Sequence, residues 1–452
     1  MITYLQTDEQ TIEDLGLFGK RDKGGIYDLY NQLHTRGGEA LLEEMFRSPL
    51  SDEGAINQRS SIIRQFASLG LGFPYDAALF DMAEKYLSNH PRPGQHGQEH
   101  VLGEKEIQNG VMAVISLIHL TKTFMEKQEV ATIAGYAPER TVINTLLTEP
   151  ALAPALKEMP GKGHKLPYAA ITAYDALFRV SENDKIIRLL RHIYMLDVYL
   201  SVARTAAERK FVFPAALEKG TCTLKVTGVY HPSLKAPVGN NIEMYMQRNI
   251  IFLTGANMAG KSTFLRSLST ALYLAHMGFP VAATSMEFSV MDGLYTTINL
   301  PDNLGIGASH FYAEVLRVKK IAKELSAGKL LFVLFDELFR GTNVKDAQEA
   351  TIAIIKGFAK QTRSLFLVSS HIVEAGEALR QEAPIGFFFL PTRMEGHTPA
   401  YTYTLEEGIT DDRHGMIIIR NEGILDILQK GKQQTDNHPN NYELQHRQTD
   451  IG

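Results

Sequence analysis

One cysteine, Cys222, is all the chain has in 452 residues. No disulfide can close within it, which fits a reducing compartment. Cys222 itself reads as a small buried apolar residue. An excess of positive charge is also missing, for the formal net charge is −5. No global basic field advertises nucleic acid, although a local basic patch is compatible with that total. Long apolar runs are absent. The most apolar stretch, "VMAVISLIHL" from Val111 to Leu120, is far shorter than a membrane span and contains His119, with Lys122 just beyond. The opening "MITYLQTDEQTIEDLG" is acidic and lacks the apolar core of a signal peptide. A cytoplasmic protein with no membrane partner is expected.

What is present is ordinary for a globular chain: 44% hydrophobic and 21% charged residues, over a length that allows two or three domains. The first half has helical periodicity. Leu41, Leu42, Met45 and Phe46 share a face, and Pro49 ends it. Ser51 and Asp52 are candidates to cap a second helix carrying Ile56, Ile62, Ile63 and Phe66. "RPGQHGQEH" is a polar loop, and helix resumes through Phe124 and again from Thr141 to Leu147. A long helix is predicted from Tyr168 to about Arg209, on the stripe Leu177, Ile186, Ile187, Leu190, Ile193, Leu196 and Leu200. Near residue 212 the texture changes. "TCTLKVTGVY", "NIIFLTG", "KLLFVLFDE", "RSLFLVSSH" and "IGFFFLPT" are strand-like, with helical segments between several of them. Such alternation predicts an α/β domain with a mostly parallel, covered sheet. The expected organisation is a helical domain over residues 1–210, an α/β domain over 211–430, and a polar, disordered tail over 431–452.

Chemistry concentrates in "IFLTGANMAGKSTFLRS", residues 251–267. Strand, Gly-rich turn and helix follow one another there. Gly255 and Gly260 let the backbone turn its N–H groups toward an anion, and the helix N-terminus adds its positive end. Lys261 can reach the β- and γ-phosphates and Ser262 can ligate Mg²⁺. "LLFVLFDE" ends in Asp336, placed as a carboxylate for Mg²⁺, and Glu337, placed as a general base toward water. His371 closes the next strand, where ligands gather at the carboxyl ends of a parallel sheet. Adjacent Asp-Glu with a later His is the pattern of ABC-type P-loop ATPases, in which two subunits sandwich two ATP molecules. A small-molecule kinase would need an acceptor site and an Arg-rich lid, and neither is evident.

The loop, read in full, resembles that of the MutS mismatch-repair ATPases. That family's loop runs Gly-Pro-Asn-Met-Gly-Gly-Lys-Ser-Thr; here it is Gly255, Ala256, Asn257, Met258, Ala259, Gly260, Lys261, Ser262 and Thr263. The Asn-Met pair is the distinguishing mark. "MGFPVAA", "MDGLYTTI", "DNLGIGASHF", "FDELFRGTNVKDA" and "SSHIVEA" each resemble a family stretch, with Thr297 where the family has Arg. "GVYHPSL" keeps His231 and Pro232. The similarity extends to "LHTRGGEALLEEMFRSPLSDEGAINQRSSIIRQF" and "IYMLDVYLSVARTAAERKFVFP", which look like core and lever segments, and to "YTYTLEEGITDDRHGMIIIRNEGI" near the end.

The resemblance implies an ABC-type ATPase domain after an all-α core and lever domain with its clamp reduced or absent. It also implies a divergent short member without mismatch-recognition and connector domains. The loop residues would bind ATP, Ser262 and Asp336 would hold Mg²⁺, and Glu337 and His371 would support hydrolysis. Ser309 would be the signature serine that reaches the partner's ATP in a homodimer, and DNA would be the substrate of the movement. A Phe-x-Glu, Phe124-Met125-Glu126, falls in the helical half and reads as a helix face with an exposed Glu. The family's aromatic against the adenine has no counterpart in "PVGNN", so no base stacking is expected from that stretch. An ATP-dependent switch acting on a protein partner, without DNA, is the alternative reading.

Overall fold

The computed structural model of the protein describes residues 2–19, 24–89, 102–158, 166–256, 258–298, 310–339, 341–382, 384–395, 398–410, 423–425 and 427–428. Asn257, Ser309 and the tail at 431–452 lie outside the described residues.

Near the N-terminus, helix α1 (Glu9–Asp14) is capped by the Asp8 carboxylate, which accepts from Thr11 N. Then come α2 (Ile26–Tyr30), α3 (Arg36–Arg47) and α4 (Glu53–Leu69). Of the two cap candidates, Asp52 caps α4 by accepting from Ala55 N, whereas the Ser51 hydroxyl donates to Met291 O at 2.6 Å. α5 (Ala77–Ser88), α6 (Glu104–Met125), α7 (Gln128–Ala131) and α8 (Ala137–Leu147) build the part of the helical half farthest along the chain from that cap. Phe124 and Met125 end α6 buried, with Glu126 exposed, so this Phe-x-Glu is a packed helix end.

The long helix predicted from Tyr168 is two helices, α9 (Tyr168–Ala176) and α10 (Asn183–Arg209), joined by a π-helical turn at Leu177–Ser181. A π turn breaks the regular helical period. It falls in "RVSENDK", whose mostly polar residues leave that period unread. α10 buries Ile186, Leu189, Leu190, Ile193, Leu196 and Leu200, each such side chain stabilising the fold by about 1.5–3 kcal/mol. It also buries Asp197, which accepts from His34 N, Thr35 N and Thr35 Oγ1 and so fixes the N-cap of α3.

The second half holds two sheets. β1 (Ala215–Leu217), β2 (Leu224–Val229), β3 (Asn240–Met244) and β5 (Ser285–Ser289) form a mixed four-stranded sheet in the order β1-β5-β2-β3. The other six strands that concern the site are β4 (Ile250–Gly255), β6 (Gly293–Thr297), β7 (Leu331–Asp336), β8 (Leu365–Ser369), β9 (Ile385–Leu390) and β12 (Glu406–Glu407). They form a six-stranded sheet in the order β12-β9-β4-β8-β7-β6. Pairs β9/β4, β4/β8, β8/β7 and β7/β6 are parallel; β12 joins β9 antiparallel. β10 (Thr392–Glu395) and β11 (Thr398–Tyr401) make a separate antiparallel pair.

Every residue of β4 and β7 is buried, as continuous apolar runs require in a sheet covered on both faces. One cover is α11 (Lys261–His276), which touches β4 and β7 of one sheet and β2 of the other and is buried along nearly its whole length. On the other face lie α12 (His310–Ser326) and α13 (Val344–Ala359), with α14 (Val373–Leu379) beside them. The first apolar core runs without a break from the helical half into α11 and the four-stranded sheet. Tyr30 Oη donates to Pro280 O, and Tyr273 Oη to Phe46 O, across that junction. Cys222 is buried with its thiol on Thr362 O, and burial pushes the thiol up to about 11. No described helix is long and apolar enough to cross a membrane.

Candidate functional site

The loop sits where the topology sends it. β4 is a central strand, and its chain leaves the carboxyl edge at Gly255, whose φ of 146° lies outside the range open to ordinary side chains. Gly260 then caps α11 at φ 99°. Between them Met258 has φ 72° and is 76% exposed, whereas Ala259 is buried. Lys261 is the first residue of α11. Its ammonium donates to Gly255 O at 2.6 Å and Ala256 O at 3.1 Å, so it lies along the inside of the loop. Ser262 follows, with Thr263 beside it.

Two neighbouring strands bring the carboxylates. Asp336 ends β7, and its Oδ2 accepts from Ser262 Oγ at 2.6 Å. Its Oδ1 accepts from the buried hydroxyl of Ser369, at the end of β8. One carboxylate is thus bracketed by hydroxyls from a helix and a strand. Glu337 has φ 57°, and its N–H donates to Ser369 O at 3.1 Å. A non-glycine residue held in the left-handed region costs about 1–3 kcal/mol and persists only where the surroundings enforce it. The turn directs Glu337 away from the strand line, into the cavity beside Lys261 and Ser262. His371, two residues past β8, places Nδ1 3.8 Å from Glu337 Oε2.

These side chains open on a cavity of about 580 Å³. Its phosphate-like end is formed by Gly260, Lys261, Ser262 and Glu337, and its other walls by Val229, Tyr230, His231, Leu234, Val238, Asn240 and Tyr403. Burial first, and the charge of Arg266 second, hold the His231 imidazole below its usual range, which favours the neutral ring. The aromatic absent from "PVGNN" is here supplied from elsewhere. A Cβ on Gly260 would come within 3.0 Å of Tyr403 Cδ1, so the Tyr403 ring lies directly on the loop. Asn240 fixes it: Asn240 Nδ2 donates to Tyr403 O at 2.9 Å, and Leu405 N donates to Asn240 Oδ1 at 2.7 Å.

Among the predicted residues, Gly255, Ala256, Met258, Ala259, Gly260, Lys261, Ser262, Thr263, Asp336, Glu337 and His371 therefore gather at the carboxyl edge of one sheet. The predictions for Asn257 and Ser309 fall outside the described residues. Ser369, Asn240, Tyr230 and Tyr403 were not anticipated. The pair "SS" ahead of His371 was a usable signal for Ser369. Nothing local marks Tyr403, which is 142 residues beyond Lys261 and meets it only through the fold.

Comparison with known proteins agrees with this geometry. The family model for MutS domain V matches residues 251–437, from the loop strand past the segment of Tyr403. A DNA mismatch repair protein MutS from Persephonella marina (strain DSM 14350 / EX-H1) is 27% identical over 266 residues, which is 57% of this chain and 30% of that protein. The chain thus spans under a third of the length of the relative it matches. Over the part so matched, this chain belongs to the MutS family, as a divergent member.

Proposed function

We propose that this protein binds and hydrolyses ATP as a MutS-like engine, that two copies close on the nucleotide, and that the movement acts on DNA. The observation that supports it most directly is the convergence of Lys261, Ser262, Asp336 and Glu337 on one cavity, with Ser262 Oγ 2.6 Å from Asp336 Oδ2. A hydroxyl and a carboxylate held this close are a fitting oxygen donor pair for Mg²⁺ beside a phosphate. Ser262 and Asp336 would hold that ion, which when bound neutralises charge on the phosphates.

The chain's own groups do the rest. Lys261 exchanges its two loop carbonyls for phosphate oxygens. Backbone N–H groups of the loop and the first turn of α11 cradle the anion. Tyr403 and Tyr230 offer ring faces for the base, in place of the aromatic expected from the family stretch. Glu337 takes a proton from the attacking water while the new oxygen–phosphorus bond forms and the bond to the β-phosphate oxygen breaks, leaving ADP and phosphate. His371 steadies the Glu337 carboxylate. Ser309 completes the partner's site in a homodimer.

Phosphate release by the wild type, Lys261→Ala and Glu337→Gln tests the reading; equal rates for all three would overturn it. For DNA, the printed role of the relative is the support. Binding to duplex, mismatched, branched and single-stranded DNA, with and without ATP, should be measurable and should weaken steeply as salt rises. The net charge of −5 favours one other reading, an ATP-dependent switch on a protein partner. Absence of DNA binding at low salt, in every nucleotide state, would select it.

A further inference from the structure

The first residues of the chain are built into the edge of the nucleotide-binding sheet. Gln6 N donates to Asp292 O at 2.8 Å and Leu294 N donates to Gln6 O at 2.9 Å, a parallel bridge that extends the sheet past β6. α1 packs on β6. Asp14, at the end of α1, is 4% exposed. Its Oδ2 accepts from Thr296 Oγ1 at 3.0 Å and from Ile298 N at 2.9 Å, so it holds the backbone where β6 ends. Thr11 Oγ1 accepts from Thr296 N at 3.1 Å.

The same segment holds α12. Arg317, on the second turn of that helix, is 8% exposed in its side chain. Its two terminal nitrogens form a fork on the Asp8 carboxylate. NH2 also donates to Thr296 O at 2.7 Å, and Nε donates to Thr297 Oγ1 at 3.2 Å. The guanidinium lies over the Tyr295 ring at 5.8 Å. Lys320, one turn on, donates to Asp8 Oδ2 at 2.6 Å. One planar cation thus ties together three segments: the N-terminal arm, the end of β6 and the start of α12. Only an arginine has the donors for this, because its fork engages a carboxylate while the remaining N–H groups reach elsewhere.

The arrangement has a consequence for catalysis. β6 and α12 are the elements on either side of residues 299–309, and Ser309 directly precedes α12. We propose that Asp8, Asp14 and Arg317 are positioning residues for ATP hydrolysis: they set the place of α12 against the sheet, and with it the presentation of Ser309 to the partner subunit's nucleotide. The inference rests on the reading of Ser309 given above. It makes the N-terminal arm part of the ATPase machinery. A force or partner acting on residues 2–17 would then reach the hydrolytic site without touching the phosphate loop. Asp8, Asp14 and Arg317 touch none of the loop residues Lys261, Ser262 or Asp336, so the nucleotide affinity of the single chain should be indifferent to them.

The test uses the full chain with Asp14→Asn, Arg317→Lys and Ser309→Ala. Each is read by steady-state ATP hydrolysis, by binding of a fluorescent ATP analogue at low protein concentration, and by thermal unfolding. Arg317→Lys keeps the charge and loses the fork, which guards against a variant that fails to fold. Displacing a reacting group by about 1 Å costs on the order of a hundredfold. Folded Asp14→Asn and Arg317→Lys should therefore lose about ten- to a hundredfold in kcat, with analogue affinity kept within about threefold. Full activity in both folded variants, while Ser309→Ala is impaired, overturns the positioning role alone. So does a loss of affinity in step with the loss of kcat. If Ser309→Ala is as active as the wild type, the reading of Ser309 fails and this inference falls with it.

Discussion

Ser262 donates its hydroxyl hydrogen to Asp336 Oδ2 over 2.6 Å, across 74 residues of chain. The first residue opens the helix after β4 and the second closes β7, with β8 between those two strands in the sheet. Breaking that pair should remove the cation site without emptying the cavity. Asp336→Asn keeps the shape and loses the charge. Its phosphate release should fall by about 10²–10³-fold, with a raised Mg²⁺ requirement. A titration of rate against Mg²⁺ checks this, and an unchanged Mg²⁺ dependence would count against the pair as ligands.

Glu337 is the group set to act on water, and its role separates from binding. Glu337→Gln preserves the left-handed turn and the volume but cannot take a proton. ATP analogue affinity should stay near wild type while turnover drops by about 10²–10⁴-fold. Filter binding alongside single-turnover hydrolysis distinguishes the two; parallel losses in both would make Glu337 a structural residue.

The Tyr403 ring packs on Gly260 and is reached only through Asn240. An aromatic face against a base is worth about 0.5–1.5 kcal/mol. Tyr403→Ala should weaken ATP about two- to tenfold, with Tyr403→Phe close to wild type. Inorganic triphosphate, which has no base, should bind both equally. Competition against the fluorescent analogue reads all three, and a loss shared by triphosphate would place Tyr403 against the phosphates instead.

His276 ties the end of α11 to the core. Its Nδ1 donates to Leu272 O at 2.9 Å and its Nε2 accepts from Met291 N at 3.1 Å, which together require the neutral ring. Burial lowers its pKa, the Leu272 carbonyl opposes this, and Lys219 lowers it further, to about 4 from 6.5. The folded state resists a proton that the unfolded state accepts. The resulting stability is complete above pH 6.5 and is lost as pH falls through 4. The loss amounts to about 3 kcal/mol. Urea midpoints between pH 7 and pH 4 should fall in the wild type and fall less in His276→Gln. A flat wild-type profile would contradict the assignment.

Much of the site was legible because its parts are local. A strand, a glycine turn and a helix start can be read in one stretch, and "LFDE" and "SSH" each end an apolar run at the edge where ligands gather. The Asn-Met pair pointed to the family, although Asn257 itself lies outside the described residues. The π-helical joint between α9 and α10 was hidden because polar residues there carry no period. Ser51 was read as a cap candidate, and its hydroxyl instead serves Met291, since a cap is chosen by backbone geometry that composition does not encode.

By itself the sequence determined the phosphate loop, the acidic pair and the histidine, because each depends on residue types at fixed short spacing. Tertiary structure alone decided which carboxylate oxygen meets Ser262, that Ser369 brackets Asp336, that Tyr403 replaces a missing aromatic, and that Asp8 holds Arg317. Those are contacts between segments far apart in the chain. Their partners are chosen by strand order in the sheet and by burial, and neither quantity is a property of any one stretch of sequence.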